Sequence, residues 1–464
     1  MKLIFLILIL MLSGCVANAP FRTSDGKKCD HWRGCGSNYE RHTGYDLGFI
    51  EFSERGHDFA PQQTAQLLSN IARMEEKEDV GVIVFIHGWK HNASVLDKNV
   101  KNFQKTLAYV AAPRIIGKRK LLGIYIGWRG MSFHGAEFEN LTFWDRKSVA
   151  EEVGRNGVKD FLIKLESIVG KNNNNFMLTV GHSFGADILL SALNDNLLER
   201  MRTAENNNAL KPFGDGLILL NPAVEANQAL LLKESSMRLG AQGKPMPSLM
   251  YVISSRADIP TNVAFPVGQF FGKNIGWSQV EIERDYFGVK YKIKEQDLDD
   301  ITVGNFKMFT TGYMYNKEHT VSDTRTSQYH IPAQISKKED LLDIEQLIPE
   351  AINSGIIGPW KFNSYCTRTL HQKEQYHHDR LPCFDNDPID FISVPDSFIS
   401  NHNDIFNRNV ITLLMTMTSQ SLSNKKGRIT KYCQKTGGFS FEDCFNYYYL
   451  INEDFTVNKH SKLY

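Results

Sequence analysis

Residues 181–185, which read GHSFG, place a serine between two glycines. They follow 176–180, a stretch suited to a buried strand, and precede the largely apolar stretch 186–193, which predicts a helix. Small residues on both sides allow a tight strand-to-helix turn, and such a turn lifts the Ser183 hydroxyl above the edge of a sheet. A serine hydroxyl in that position becomes a nucleophile when an adjacent base takes its proton.

This arrangement resembles the nucleophile elbow of the α/β-hydrolase superfamily, on its esterase and lipase side, where Gly-His-Ser-x-Gly is a common form. The resemblance implies an α/β-hydrolase fold, in which a mainly parallel sheet is flanked by helices. It also implies a serine hydrolase that forms an acyl-enzyme on Ser183 and needs no metal or organic cofactor. The alternative is a glycine-rich turn whose serine has no chemical role.

In this superfamily the acid and the histidine follow the serine along the chain. The predicted strand 249–254 leads to Asp258, which would orient the histidine and stabilise its charged form. Glu225 follows the preceding predicted strand, 216–220, and is the competing acid. Asp258 could instead cap a helix before Pro260.

The histidine is expected on the loop after the final core strand. The predicted strand 389–394 and the turn after it deliver His402 to that place, just before a predicted helix at 404–417. A helix-capping or surface role is the alternative for His402. The competing histidines lie before that strand or inside a long irregular stretch: His319, His330, His377 and His378.

Two backbone N–H groups would hold the negative oxygen of the tetrahedral intermediate. One belongs to Phe184, at the start of the helix after the serine, where the helix dipole favours negative charge. The other is expected after the apolar strand 80–86, which ends in His87-Gly88-Trp89. The single glycine, in place of a longer His-Gly-Gly-Gly form, resembles the variant in which the residue after His-Gly donates, and this resemblance implies Trp89 as the donor. His87 itself is expected to be structural.

From residue 45 onward, apolar strands alternate with helical patterns, which predicts a mainly parallel sheet covered by helices. Between 262 and 387 the alternation lapses, over a length too great for a structureless loop in a compact domain. We therefore divide the chain into 1–14 as a lipoprotein signal peptide, 15–44 as a tether and leading loop, 45–261 as the first part of the core, 262–387 as a cap-like or lid-like insertion before the last core strand, and 388–464 as that strand, its helix and a C-terminal extension.

The first residues predict export. Lys2 precedes an apolar run at 3–12 that is too short to span a bilayer. Residues 12–15, which read LSGC, resemble the lipobox of bacterial lipoproteins, so the leader would be cut before Cys15 and this cysteine would carry the lipid. The resemblance implies attachment to the bacterial cell envelope, and Val16 in place of aspartate favours the outer membrane. An ordinary secretory leader with an incidental cysteine is the alternative.

The cysteine content agrees with export. The chain has seven cysteines, so six remain beyond Cys15, and an even number outside the cytosol favours disulfides. Neighbours in sequence suggest the pairs 29–35, 366–383 and 433–444, although other pairings stay open. Cys29, His31 and Cys35 could instead bind zinc.

The formal net charge is +1 and no basic stripe stands out, which argues against nucleic acid as a partner. The expected partners are a small ester or lipid substrate and a membrane, the latter through the lipid on Cys15. Carboxylic esters are favoured over thioesters, amides and peptides by analogy with the commonest chemistry of the fold. The competing hypothesis is a hydrolase-like scaffold that acts as a binding or structural lipoprotein of the envelope.

Overall fold

The structure is a computed structural model that describes residues 18–24, 34–111, 119–131, 143–207, 209–244, 246–258, 280–316, 356–357, 360–367 and 379–414. Its strands are β1 Arg22–Thr23, β2 Gly36–Ser37, β3 Tyr39–His42, β4 Tyr45–Phe52, β5 Val80–Ile86, β6 Lys120–Trp128, β7 Phe176–His182, β8 Gly216–Leu220, β9 Met250–Ser255, β10 Glu281–Tyr286, β11 Val289–Lys294, β12 Gly312–Asn316, β13 Ile356–Ile357, β14 Trp360–Ser364 and β15 Ile389–Val394. Its α-helices are α1 Pro61–Glu75, α2 Lys98–Val110, α3 Phe143–Val153, α4 Lys159–Val169, α5 Phe184–Asn207, α6 Ala226–Gly240 and α7 Glu295–Asp300, and residues 408–414 are also helical.

One sheet of eleven strands dominates the fold, in the order β13-β14-β12-β15-β9-β8-β7-β5-β6-β4-β3. Every pairing from β12 across to β4 is parallel. The strands beyond them, β3 at one edge and β14 and β13 at the other, are antiparallel. The expected α/β architecture with a mainly parallel sheet is therefore confirmed.

Helices cover both faces of this sheet. Leu67 of α1, Phe161 of α4 and Leu189 of α5 belong to one apolar core cluster. Phe103 of α2 and Val410 of the last helix belong to a second cluster on the other face. Alternate residues of β5 face the two clusters, as a strand buried on both faces requires.

Apolar residues at helical spacing predict one long helix over 146–169, but the helix observed there is interrupted. A π-helical turn, Gly154–Val158, separates α3 from α4. A Cβ at Gly154 would collide with the Ile188 carbonyl oxygen of α5. The glycine therefore lets the bulged turn pack directly on the backbone of that helix, and spacing of apolar residues alone did not reveal the bulge.

Two segments that we expected outside the core sheet contribute strands to it. β3 lies within 15–44, the expected tether and leading loop, and pairs with β4 as the outermost strand on that side of the sheet. β12 and β14 lie within the expected insertion 262–387, and β12 pairs in parallel with β15. The polar sequence of β3 hid it, because an edge strand needs few apolar residues.

The remaining described part of 262–387 packs beside α6. The Tyr286 hydroxyl of β10 donates to Glu234 of α6 at 2.6 Å, and Leu298 of α7 is fully buried in the core. Cys366 and Cys383 form the predicted disulfide. A cap or lid over the site remains a prediction.

Several expectations fall outside the described residues. They concern the leader, Cys15 and Cys29 at the amino terminus, and everything after residue 414, including Cys433 and Cys444. Within the described ranges, no helix combines the length and apolar character needed to cross a membrane.

Candidate active site

The turn at Ser183 is as tight as its sequence suggests. β7 ends at His182 and α5 begins at Phe184, so Ser183 alone connects them, and it adopts a left-handed backbone with φ of 56°. A Cβ on Gly181 would lie 2.5 Å from the carbonyl oxygen of Gly185, so both neighbours must be small. A serine seldom takes this conformation without a compensating reason. Here the strained turn places its side chain at the carboxyl edge of the sheet.

Three side chains that are distant in sequence meet at this turn. His402 Nε2 lies 2.8 Å from Ser183 Oγ, and His402 Nδ1 lies 2.8 Å from Asp258 Oδ1. The Asp258 side chain is completely buried, whereas the His402 side chain is 14% exposed. We call these three residues the triad. The structure thus brings together the serine, acid and histidine selected from the sequence.

Main-chain hydrogen bonds hold the serine in place. The Ser183 N–H donates to the Leu220 carbonyl of β8 at 3.1 Å. The Ser183 carbonyl accepts from the N–H groups of Ala186 and Ala223, at 3.1 and 3.2 Å. The turn is therefore tied to its own helix and to the neighbouring strand.

The loop that carries His402 is held by two side chains that sequence reasoning missed. His182 Nε2 and Asn221 Nδ2 lie 2.8 and 3.2 Å from the His402 carbonyl oxygen. Asn221 Oδ1 also accepts from the Ser255 N–H at 3.0 Å. Asn221 has a φ of 41°, a conformation that asparagine tolerates better than most residues. An asparagine directly after a strand was the available signal, but its partner is 181 residues away.

His182 is a neutral residue in this arrangement. A carbonyl oxygen only accepts hydrogen bonds, so the His182 nitrogen that faces it carries the ring proton. Burial lowers the pKa of His182 well below its ordinary value, and the neighbouring His402 lowers it further. The two rings lie 4.8 Å apart between centroids. Because His182 stays uncharged, it does not oppose a positive charge on His402.

The other predicted donor segment lies against the serine. A Cβ on Gly88 would come within 2.7 Å of the Ser183 Cβ, so only glycine fits there. The Gly88 carbonyl lies 2.9 Å from His87 Nδ1, and His87 Nε2 accepts from the Trp128 N–H at 3.1 Å. Because the peptide is trans and planar, the Trp89 N–H points opposite to this anchored carbonyl.

His87 is structural, as expected. Its side chain is completely buried, and burial lowers its pKa to about 4. A neutral ring can donate from one nitrogen and accept at the other, which is how it joins Gly88 to Trp128. His87 thereby orients the Gly88–Trp89 peptide without contacting the triad through its own ring nitrogens.

Glu225, the competing acid, belongs to a separate group formed by one lysine and three acidic side chains. Lys147 Nζ is 2.9 Å from Glu225 Oε2. The same ammonium lies 2.6 Å from Glu151 and 3.8 Å from Asp187. We call these four residues the lysine cluster. The structure therefore places Asp258, and not Glu225, against the histidine.

The competing histidines and the alternative zinc site remain to be placed. His319, His330, His377 and His378 are outside the described residues. Cys35 is disulfide-bonded, so it cannot supply the thiolate that the alternative zinc site needs. Over the described ranges, no group of three or more histidine, cysteine and acidic side chains is arranged to hold a metal ion.

Comparison with known proteins found no relative. No family model matches the chain, and no curated protein or solved structure matches it either. The likeness to α/β-hydrolases therefore remains a resemblance of motif.

Proposed function

We propose that this protein is a serine hydrolase of the α/β-hydrolase type, which cleaves carboxylic esters or lipid-like acyl substrates through an acyl-enzyme on Ser183. The observation that carries the proposal is the pair of 2.8 Å contacts that joins Ser183 to His402 and His402 to Asp258. These contacts occur at a serine with a left-handed backbone conformation, between a buried strand and a helix. A nucleophile, a base and an orienting acid in that order are what acyl transfer to serine requires.

The proposed reaction has two halves. His402 Nε2 takes the Ser183 proton while Oγ attacks the carbonyl carbon, and the tetrahedral oxyanion is held by the N–H groups of Trp89 and Phe184. Collapse breaks the bond to the alcohol, which leaves with the proton from His402. Water then attacks the acyl-enzyme by the same proton relay and releases the acid. Asp258 keeps the histidine oriented and stabilises its charge throughout.

The proposal includes a place in the cell envelope. The lipobox-like residues 12–15 and the short apolar run before them support lipid attachment to Cys15. Replacing Cys15 with serine should move the protein from the membrane fraction to the soluble periplasmic fraction, provided that the leader is still processed. A Cys15→Ser protein that stays with the membrane after a high-salt wash would contradict this anchor.

The decisive experiment is active-site labelling with a fluorophosphonate probe. Wild-type protein should be modified at Ser183 and should lose its ester hydrolysis, whereas Ser183→Ala should neither react nor turn over and should keep the wild-type melting temperature. Ser167→Ala, an exposed serine on α4, is the matched control and should behave like wild type. Absence of labelling in folded wild-type protein would favour the non-catalytic scaffold.

A further inference from the structure

The amino-terminal segment 18–22 docks on the body of the protein beside the predicted anchor. The N–H of Phe21 lies 2.9 Å from both carboxylate oxygens of Glu51, and the N–H of Arg22 donates to Glu51 Oε2 at 2.7 Å. Two consecutive backbone donors to one buried carboxylate are charge-assisted hydrogen bonds, which are stronger than neutral ones. The segment is thus fixed on the fold close to where the lipid would be attached.

Arg22 strengthens this docking. Its side chain is buried, with Nε 2.6 Å from the Ala93 carbonyl and Nη1 2.5 Å from Glu40 Oε1. The guanidinium also lies over the Phe49 ring, 3.5 Å from its centroid. Undocking would break these contacts and leave the buried Glu51 carboxylate without its two backbone donors, so the segment is held against the body.

The docking place lies at the carboxyl ends of the parallel strands, and Ser183 lies at the same end of the sheet. Glu51 pairs with Gly127 near the end of β4, and one residue away Ile126 pairs with Ile86, which pairs with Gly181. Three neighbouring strand spacings of about 4.8 Å separate β4 from β7, or about 14 Å. Since all these strands are parallel, their carboxyl ends share one edge.

The same edge carries exposed side chains suited to a lipid surface. Leu96 is 59% exposed on the loop that joins β5 to α2. Lys98 and Lys101, in the first turn of α2, are exposed as well. His91 is 3.1 Å from the Asp97 carboxylate that caps α2, so this loop and helix start are held together. We call segment 18–22, Leu96, Lys98 and Lys101 the tether edge.

We propose that the tether edge rests on an anionic bilayer, so that Ser183 hydrolyses an acyl ester drawn from the membrane. The proposal rests on the proposed function and on the lipid at Cys15. Three peptide steps separate Cys15 from Asn18 and reach at most about 11 Å, which leaves the docked edge little freedom to turn away from the membrane. Lysines near the surface add attraction to anionic headgroups, and Leu96 adds an apolar contact.

The test measures two substrates with full-length lipidated protein in vesicles. One substrate is the water-soluble ester p-nitrophenyl butyrate, and the other is a long-chain fluorogenic ester embedded in the same vesicles. Ten glycine and serine residues inserted between Ala17 and Asn18 should lower turnover of the embedded ester at least fivefold. Turnover of the soluble ester should stay within twofold of wild type, because the insertion leaves the triad untouched.

Point variants locate the effect on the tether edge. Leu96→Glu should lower turnover of the embedded ester about threefold or more, whereas Leu231→Glu, at a side chain 60% exposed on α6, should not. Lys98→Glu with Lys101→Glu should lower it on phosphatidylglycerol vesicles and leave it unchanged on phosphatidylcholine vesicles. Soluble-ester turnover should be the same in all of these variants.

The outcomes separate this proposal from the proposed function. Hydrolysis of the soluble ester with no hydrolysis of the embedded ester would overturn the membrane substrate and leave the serine hydrolase intact. Equal effects of Leu96→Glu and Leu231→Glu on turnover of the embedded ester, or no effect of the insertion, would overturn the proposal that the tether edge rests on the bilayer. A folded wild-type protein that hydrolyses neither ester would overturn both proposals.

Discussion

The triad and the lysine cluster are two groups of mostly buried polar side chains near the Ser183 turn. Both lie close to it: the Asp187 N–H is 3.4 Å from the Ser183 carbonyl, and the triad includes the serine itself. In the triad, one acid faces one histidine that reaches a hydroxyl. In the lysine cluster, three acids surround one ammonium.

The comparison shows that a carboxylate acquires its role from the partner it faces. Burial alone would lower the pKa of Lys147, but the neighbouring carboxyl groups outweigh burial and raise it, so the ammonium stays charged. Such a cluster can hold helices together, and its carboxyl groups face a lysine rather than the Ser183 hydroxyl. The triad instead contains a histidine with one ring nitrogen toward Asp258 and the other toward Ser183 Oγ, so the imidazole can take the hydroxyl proton and return it.

The largest expected effect is on kcat, which should fall when Asp258 is replaced and should stay nearly unchanged when Glu225 is replaced. Asp258→Asn, His402→Ala and the double variant should each reduce kcat by at least about 10³-fold, and the double variant should be no worse than the poorer single one, because residues that act as a unit are not additive. Glu225→Gln should keep kcat within about threefold, since its partner is a lysine. Steady-state kinetics on an activated ester measure both.

The opposite result would contradict the roles that we assign to these residues. An inactive Glu225→Gln beside an active Asp258→Asn would move the catalytic acid to the loop after β8. Normal turnover by His402→Ala would direct the search for the base to His319 and His330.

The second effect concerns stability. Lys147→Met removes the cation that contacts all three acids of its cluster, and breaking a buried ion pair in this way costs about 3–5 kcal/mol of unfolding free energy. Urea unfolding should show this loss, and adding Glu225→Gln should recover part of it. A change below about 1 kcal/mol would mean that the cluster does not hold the helices.

Most of the fold could be predicted because the core strands are buried on both faces. β5 and β8 have the predicted bounds, since each is a continuous apolar run that ends at turn residues. Strands with weaker patterns escaped prediction: β3 reads YERH, and β12 lay in a stretch without regular alternation. Their place is decided by pairing with β4 and β15, which is tertiary information.

The candidate site divides in the same way. Ser183, Asp258 and His402 could be chosen because each follows a recognisable strand. The contact that separates Asp258 from Glu225 could not, because it depends on Lys147, which precedes Glu225 by 78 positions and has no motif of its own. The hydrogen bonds of His182 and Asn221 to the His402 carbonyl likewise could not be predicted, because they join residues 220 and 181 positions apart.

These two hydrogen bonds to the His402 carbonyl give the third prediction. His182→Phe keeps an aromatic ring but removes the N–H that holds the His402 carbonyl, and Asn221→Asp keeps the acceptor for Ser255 but removes the donor. Each should lower kcat about tenfold, the effect of about 1.4 kcal/mol in the barrier, with little change in KM. His182→Gln restores an N–H and should recover most of the activity. Equal losses in His182→Gln and His182→Phe would indicate a packing role only.

The smallest effect is a pH dependence that belongs to the lysine cluster and not to the triad. Burial raises the pKa of Asp187 to about 8, although Lys147 opposes the shift. The ammonium is closer to Glu151 and Glu225, at 2.6 and 2.9 Å, than to Asp187 at 3.8 Å, so the third carboxyl retains its proton.

The sign follows from the proton count. Between about pH 4 and about pH 8 the folded protein holds a proton on Asp187 that the unfolded chain has released, so wild-type stability falls as pH rises through this window. Asp187→Asn lacks this titration and should gain at least about 1 kcal/mol of unfolding free energy relative to wild type between pH 5 and pH 8, a lower bound set below the value of about 1.4 kcal/mol that one pKa unit represents. Denaturant unfolding at several pH values measures it, with the exposed Asp195→Asn on the same helix as control. If the Asp187→Asn and wild-type curves run parallel, Asp187 is ionised in the fold and the lysine cluster carries one more negative charge than we infer.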